Sequence, residues 1–226
     1  MNEAERRQRL RQWLDTIYRE VQNTMLDNSV FWEIQEMFKN NSRLADTPSI
    51  FNQWMASNFI RAAAVSVRRQ TDRSKDSISL YRFLTEIKKF PALLSRDSVI
   101  ARYAETNSSL PANVCTDLAN GDYDRRVGVG KSVPDPAQIQ GEIDKLLDLA
   151  RGIKHYVDKR IAHYDEQGLR QPIPKFSDLE VCFSFFEEMI KKYKVLLEAT
   201  GITQILPTFQ YDWKAIFRFP WLDDQG

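Results

Sequence analysis

Residues 135–164 read DPAQIQGEIDKLLDLARGIKHYVDKRIAHY, and two patterns are superimposed on them. Ile139, Ile143, Leu146, Ala150, Ile153, Val157, Ile161 and Tyr164 recur every three or four residues, which is the buried stripe of an amphipathic helix. Arg151, His155, Lys159 and His163 recur at four-residue steps on another face, with Arg160 beside them. Asp135 and Pro136 supply an N-cap and a first-turn proline. The spacing predicts one helix from Asp135 to about Tyr164.

The same helical period runs outward in both directions. Leu10, Trp13, Leu14, Ile17, Tyr18 and Val21 form a first stripe, and Phe31, Ile34, Met37 and Phe38 predict a second helix. A long helix is expected from Ser49 to about Thr71, with Ile50, Phe51, Trp54, Met55, Asn58, Phe59, Ala62, Ala63 and Val65 towards the core. Ile78, Leu80, Tyr81, Phe83, Leu84 and Ile87 predict another, ended by Pro91. A late aromatic helix opens at Ser177, with Glu180 as its capping-box partner, and stops at Gly201. Nothing alternates as a strand, so the fold class is all-α, in one domain over residues 1–226.

Between Ser95 and Pro136 the pattern softens under Asn, Ser, Pro and Gly. A long irregular insertion is expected there, with a short helix around Val99–Ala104. Its RRVGVG segment, Arg125–Gly130, lacks the strand–loop–helix context of a phosphate-binding loop. The aromatic tail around Trp213, Ile216, Phe217, Phe219 and Trp221 is expected to cover the domain or a partner.

Composition narrows the function classes. A net charge of +1 argues against coating nucleic acid by bulk electrostatics, though a local basic face remains compatible with it. No apolar run approaches the ~20 residues of a membrane span. The charged start MNEAERRQRLRQWL does not read as a signal peptide or anchor. Cys115 and Cys182 are isolated thiols, as in a reducing compartment, so a cytoplasmic location without membrane association is expected. Both histidines of the chain lie on the 135–164 helix, eight residues apart and without a nearby cysteine. No metal site and no cofactor are expected.

A neutral histidine can take a proton from an RNA 2′-hydroxyl, and an adjacent Lys or Arg can stabilise charge developing on phosphorus. His163, Arg160 and Lys159 have the residue types for that catalytic role. His155 and Arg151 extend the face as binding residues. The preceding long helix adds Arg61, Arg68, Arg69 and Asp72: Arg69 and Asp72 are further candidate binding residues, and Arg61, Arg68 and Asp72, on a shared face, either form an internal ion pair or border a polar cleft. An ordinary solvated helix face fits the same residues.

The stretch VDKRIAHYD, Val157–Asp165, resembles the signature of the HEPN superfamily, most closely the abortive-infection AbiU-type proteins. The segment RRQTDRSKDSISLYRFL, the aromatic helix Ser177–Gly201 and the terminal WKAIFRFPW are similar too. The resemblance implies a helical bundle of the antiphage or toxin–antitoxin type, dimerising through its active-site helices. It implies a metal-independent ribonuclease in which His163 is the motif histidine and Asp158 the polar residue. The motif arginine, however, falls at Val157, with Tyr156 and Asp158 the other allowed positions, and none is basic. Two expectations follow. Either Lys159 or Arg160 takes the cationic role, or the chain is a non-catalytic module that binds RNA, a nucleotide or a protein partner such as an antitoxin. An unrelated interaction-only bundle is the third.

Overall fold

In the computed structural model, residues 2–45, 49–162 and 173–219 are described. Among them every regular element is helical: α1 (Glu3–Asn40), α2 (Ser42–Ala45), α3 (Ile50–Gln70), α4 (Leu80–Lys89), α5 (Arg96–Thr106), α6 (Ala112–Arg126), α7 (Pro136–Tyr156) and α8 (Phe176–Glu198). A 3₁₀ turn Pro91–Leu94 links α4 to α5, a π-turn Val157–Ile161 extends α7, and a 3₁₀ segment Trp213–Arg218 follows α8. The all-α expectation holds. No helix among the described residues is long and apolar enough to cross a membrane.

The two helices expected at the N-terminus are one. Asn2 and Glu5 close a capping box, and α1 then runs unbroken for 38 residues. Its buried stripe continues from Leu10, Leu14, Ile17 and Val21 through Thr24 to Phe31. The Thr24 hydroxyl is satisfied by Ser66 of α3 at 2.7 Å, and Phe31 stacks on Phe59 of α3 and Phe176 of α8. Ala63 and Ala64 are buried, as expected of a close helix approach, whereas Ala62 faces out.

α3 starts on its Ser49 cap, which accepts from the Asn52 amide at 3.1 Å. Its first turns depart from expectation: Ile50, Phe51 and Trp54 are exposed, Met55 and Ala56 pack against the edge of the core, and full burial begins at Phe59. At its other end, fully buried Gln70 donates to Glu20 of α1 (2.9 Å) and accepts from the Leu80 amide (3.1 Å). One side chain thereby ties α1, α3 and the start of α4. Ser79 caps α4 and donates to the Asp72 carbonyl at 2.6 Å.

The irregular insertion expected over 95–136 is two helices, α5 and α6, packed on one another. Arg102 of α5 is buried and donates to the Leu196 carbonyl of α8 at 2.6 Å. The Tyr123 hydroxyl of α6 donates to the Leu94 and Ser132 carbonyls, and burial raises its pKa to about 12. Arg96 reaches the Lys131 carbonyl, Asn120 and Asp124 at 2.9, 2.9 and 2.5 Å, which folds the loop after α6 back over α5. Gly128 and Gly130 of the RRVGVG segment have φ of +126° and +71°, so they are turn residues in that loop.

α8 occupies the centre, packed against α1, α3, α5, α6 and α7. It begins at Phe176 instead of Ser177, and Asp178 rather than Glu180 closes its first turn by accepting from the Lys175 amide at 2.7 Å. It ends at Glu198 with Ala199 left-handed at φ 53°, two residues before Gly201. The tail lies along α1, where Gln22 donates to the Ile205 carbonyl and Lys214 pairs with Glu33.

Candidate functional site

The polar face of α7 meets the C-terminal end of α3. Helix α7 stops being α-helical at Tyr156, short of the Tyr164 end expected, and continues as a π-turn closed by the Ala162 amide on the Val157 carbonyl at 2.9 Å. Four-residue steps drift by about 40° each around an α-helix. A π-turn holds an extra residue and cancels that drift. Val157, buried, and Ile161, packed on the core, therefore stay on the inner side after Ile153. His163 itself lies outside the described residues, as do Tyr164 and Asp165.

Asp158 is the junction. Lys154 donates to one of its oxygens at 2.5 Å, one turn back on α7, and Arg68 of α3 donates to the other at 3.3 Å. Arg68 also reaches Asp72 at 3.4 Å, so the chain Lys154–Asp158–Arg68–Asp72 clamps the π-turn to α3. Partial burial pushes the Asp158 carboxyl up, but the hydrogen bonds from Lys154 and Arg68 outweigh it and hold the group below its ordinary value.

Beside this clamp lies a cleft of about 590 Å³, lined by Arg73, Asp144, Asp148, Arg151, Lys154, His155, Asp158 and Lys159. Four of those side chains are cationic and three anionic, and His155 adds an imidazole. Arg151, exposed, pairs with Asp148 at 2.5 Å. His155 is half-buried, and its Nε2 is covered by protein without a hydrogen-bond partner among the described residues. Arg160 is exposed on the outer side of the π-turn.

The structure thus brings Arg151, His155 and Lys159 to one cleft and joins Asp72 to it through Arg68. It separates Arg69, which turns to Glu20 of α1 at 3.2 Å, and leaves Arg61 exposed. Of the two readings of the α3 charges, the structure shows the internal ion pair: Arg68 bridges Asp72 and Asp158, and of those three only Asp158 lines the cleft. Lys154, Arg73 and Asp148 are cleft residues that sequence reasoning did not single out. The four-residue spacing of Lys154 and Asp158 is the signal that was available for the first. Arg73 comes from the turn after α3 and carried none. Among the described residues no three His, Cys, Asp or Glu side chains gather in a way that could hold a metal ion.

What this arrangement can do chemically is hold an anion. Lysine and arginine side chains converge on an open, solvent-lined concavity, and the acids among them orient those cations and moderate their charge. No protein-family model, curated protein or solved structure matches the chain.

Proposed function

We propose that this chain is a HEPN-like module of the antiphage or toxin–antitoxin type that binds RNA phosphates at the α3–α7 cleft without cleaving the strand. The observation that carries the reading is Val157. It stands where the family motif has its arginine, and at 3% exposure it is part of the core seam. Lys154 and Arg151 are drawn into ion pairs with Asp158 and Asp148, which suits phosphate positioning better than charge stabilisation aimed at one transition-state oxygen. In this reading the protein works as a homodimer beside an antitoxin or other defence partner.

A second reading, a ribonuclease using His163 with Lys159 or Arg160, is favoured by the π-turn inside the motif stretch, because such turns recur at functional sites. A fluorescent single-stranded RNA in metal-free buffer separates the two. The binding reading expects a salt-dependent rise in anisotropy with the strand intact. Arg151→Ala and Lys159→Ala should each lower the slope of log affinity against log salt by about 1. Cleavage that His163→Ala abolishes would establish the ribonuclease instead. Absence of any binding at low salt would remove both.

A further inference from the structure

The far end of α3 carries a different kind of surface. Ile50, Phe51 and Trp54 share its first turns and project outward, Ile50 at 85% and Trp54 at 61% exposure. Phe51 and Trp54 lie ring to ring at 5.9 Å. Immediately beside them, α1, α2 and the C-terminal 3₁₀ segment enclose an open groove of about 930 Å³ whose walls include Met37, Phe38, Leu44, Phe51, Phe217 and Phe219. Bulky apolar side chains on an exposed helix start add nothing to the chain's own core, and a contiguous patch of this kind marks an interaction site.

We propose that this face is a two-fold interface between two copies of the chain, the Ile50–Trp54 ridge of each copy seated in the groove of the other. Three features select a second copy as the occupant. An isologous contact needs a ridge and a groove side by side on one surface, so that each serves the other's partner, and Phe51 is common to both. The exposed parts of Leu44, Ile50, Phe51, Trp54, Phe217 and Phe219 amount to roughly 600–700 Å² per copy, near the roughly 800 Å² a stable partner contributes. The groove carries few charges: Glu33 is paired with Lys214, and Glu36 accepts from Asn40 at 3.4 Å. Beyond the Glu33–Lys214 pair each face adds one carboxylate, Glu36, a small like-charge cost beside the apolar area that two copies would cover.

The interface differs from the active-site-helix contact that the family resemblance implies, and it leaves the α7 cleft open in both copies. Trp54 and Arg68 are about 21 Å apart along α3 at the rise of an α-helix. The proposal does not rest on the RNA reading, and its failure is read separately.

The test is the solution mass by sedimentation velocity across a concentration series, with Trp54→Glu, Ile50→Glu and, on the exposed α7–α8 face, Val181→Glu. The wild type and Val181→Glu should be dimers. Trp54→Glu should raise the dissociation constant at least about 30-fold, the effect of losing one buried aromatic anchor, and Ile50→Glu should act in the same direction. Both altered side chains are exposed in the single chain, so circular dichroism should show unchanged helicity. A monomeric wild type overturns the proposal, whether residues 220–226 or another protein fills the groove. A dimer whose dissociation constant Trp54→Glu leaves unchanged overturns it as well, whatever Val181→Glu does.

Discussion

Replacing Val157 by arginine would supply the residue that the proposed HEPN-like reading finds missing, and the structure says that this should damage the protein before it helps it. Val157 is 3% exposed, in line with Ile153 and Ile161 on the inner side of α7 and its π-turn. Val157→Ala removes two buried methyl groups, at about 0.8 kcal/mol each for transfer, and with a small cavity the loss is about 2 kcal/mol. Val157→Arg loses the same packing and adds a guanidinium. The adjacent carboxylate is Asp158, already engaged by Lys154 and Arg68. Part of the new charge can reach solvent along its aliphatic stem, so the cost is about 3–5 kcal/mol rather than the full desolvation of an ion.

In a chain of 226 residues, 1 kcal/mol corresponds to about 2–4 °C in Tm. The alanine variant should therefore melt about 4–8 °C lower, and the arginine variant at least about 6 °C lower. Thermal melts followed by circular dichroism measure both, and the RNA assay should show no gain of cleavage in the arginine variant. A Val157→Arg protein that melts with the wild type and cuts RNA would refute the placement of this residue in the core. It would also refute the conclusion that binding is the function.

Asp158→Asn tests the clamp. The folded carboxyl lies below its ordinary value of 3.8, so its contribution is present above that pH and is lost as pH falls through the folded value. The variant should be about 1 kcal/mol less stable near neutrality, as expected of a partly exposed pair, and the difference should close in denaturant titrations at acid pH. A gap that persists at low pH would assign the loss to packing. For the thiols, burial and then Asp178 raise Cys182 from 9.0 to about 12, and both cysteines are enclosed. Neither should react with an aromatic disulfide reagent at pH 8 until denaturant is added. Stability should decline as pH climbs from 9 towards 12, where the unfolded thiol ionises and the folded one does not. Prompt labelling of native protein would contradict the enclosure.

Several features were legible before the fold was known because their physics is local. Ser49 and Ser79 each accept from a first-turn amide of their own helix, and Asp135 with Pro136 starts α7, so these starts depend on neighbours in sequence alone. The stripe from Ile139 to Val157 is likewise set by helical repeat. The failures are of another kind. α1 was divided because its apolar stripe passes through Thr24, whose hydroxyl is a core group only when Ser66 of α3 meets it. α6 was missed because its buried positions are Cys115, Ala119 and Tyr123, too few and too small to raise a hydrophobic period above its Asn, Asp and Gly.

The charged residues divide along the same line. That Arg151, His155 and Lys159 share a face follows from four-residue spacing and needs no tertiary contact. Whether Arg68 or Arg69 reaches that face depends on the direction in which α3 packs. Arg68 turned to Asp158 and Arg69 to Glu20, a choice made by two different helices. Over Pro136–Tyr156 local sequence alone determined a helix with an apolar seam and a cationic face, because covalent geometry repeats every 3.6 residues. Only the packed bundle decided that the seam would end in a π-turn, that Asp158 would hold it to α3, and that the first turns of α3 would be left uncovered. Those outcomes depend on which helices meet, and contacts between residues distant in sequence carry no local period from which to read them.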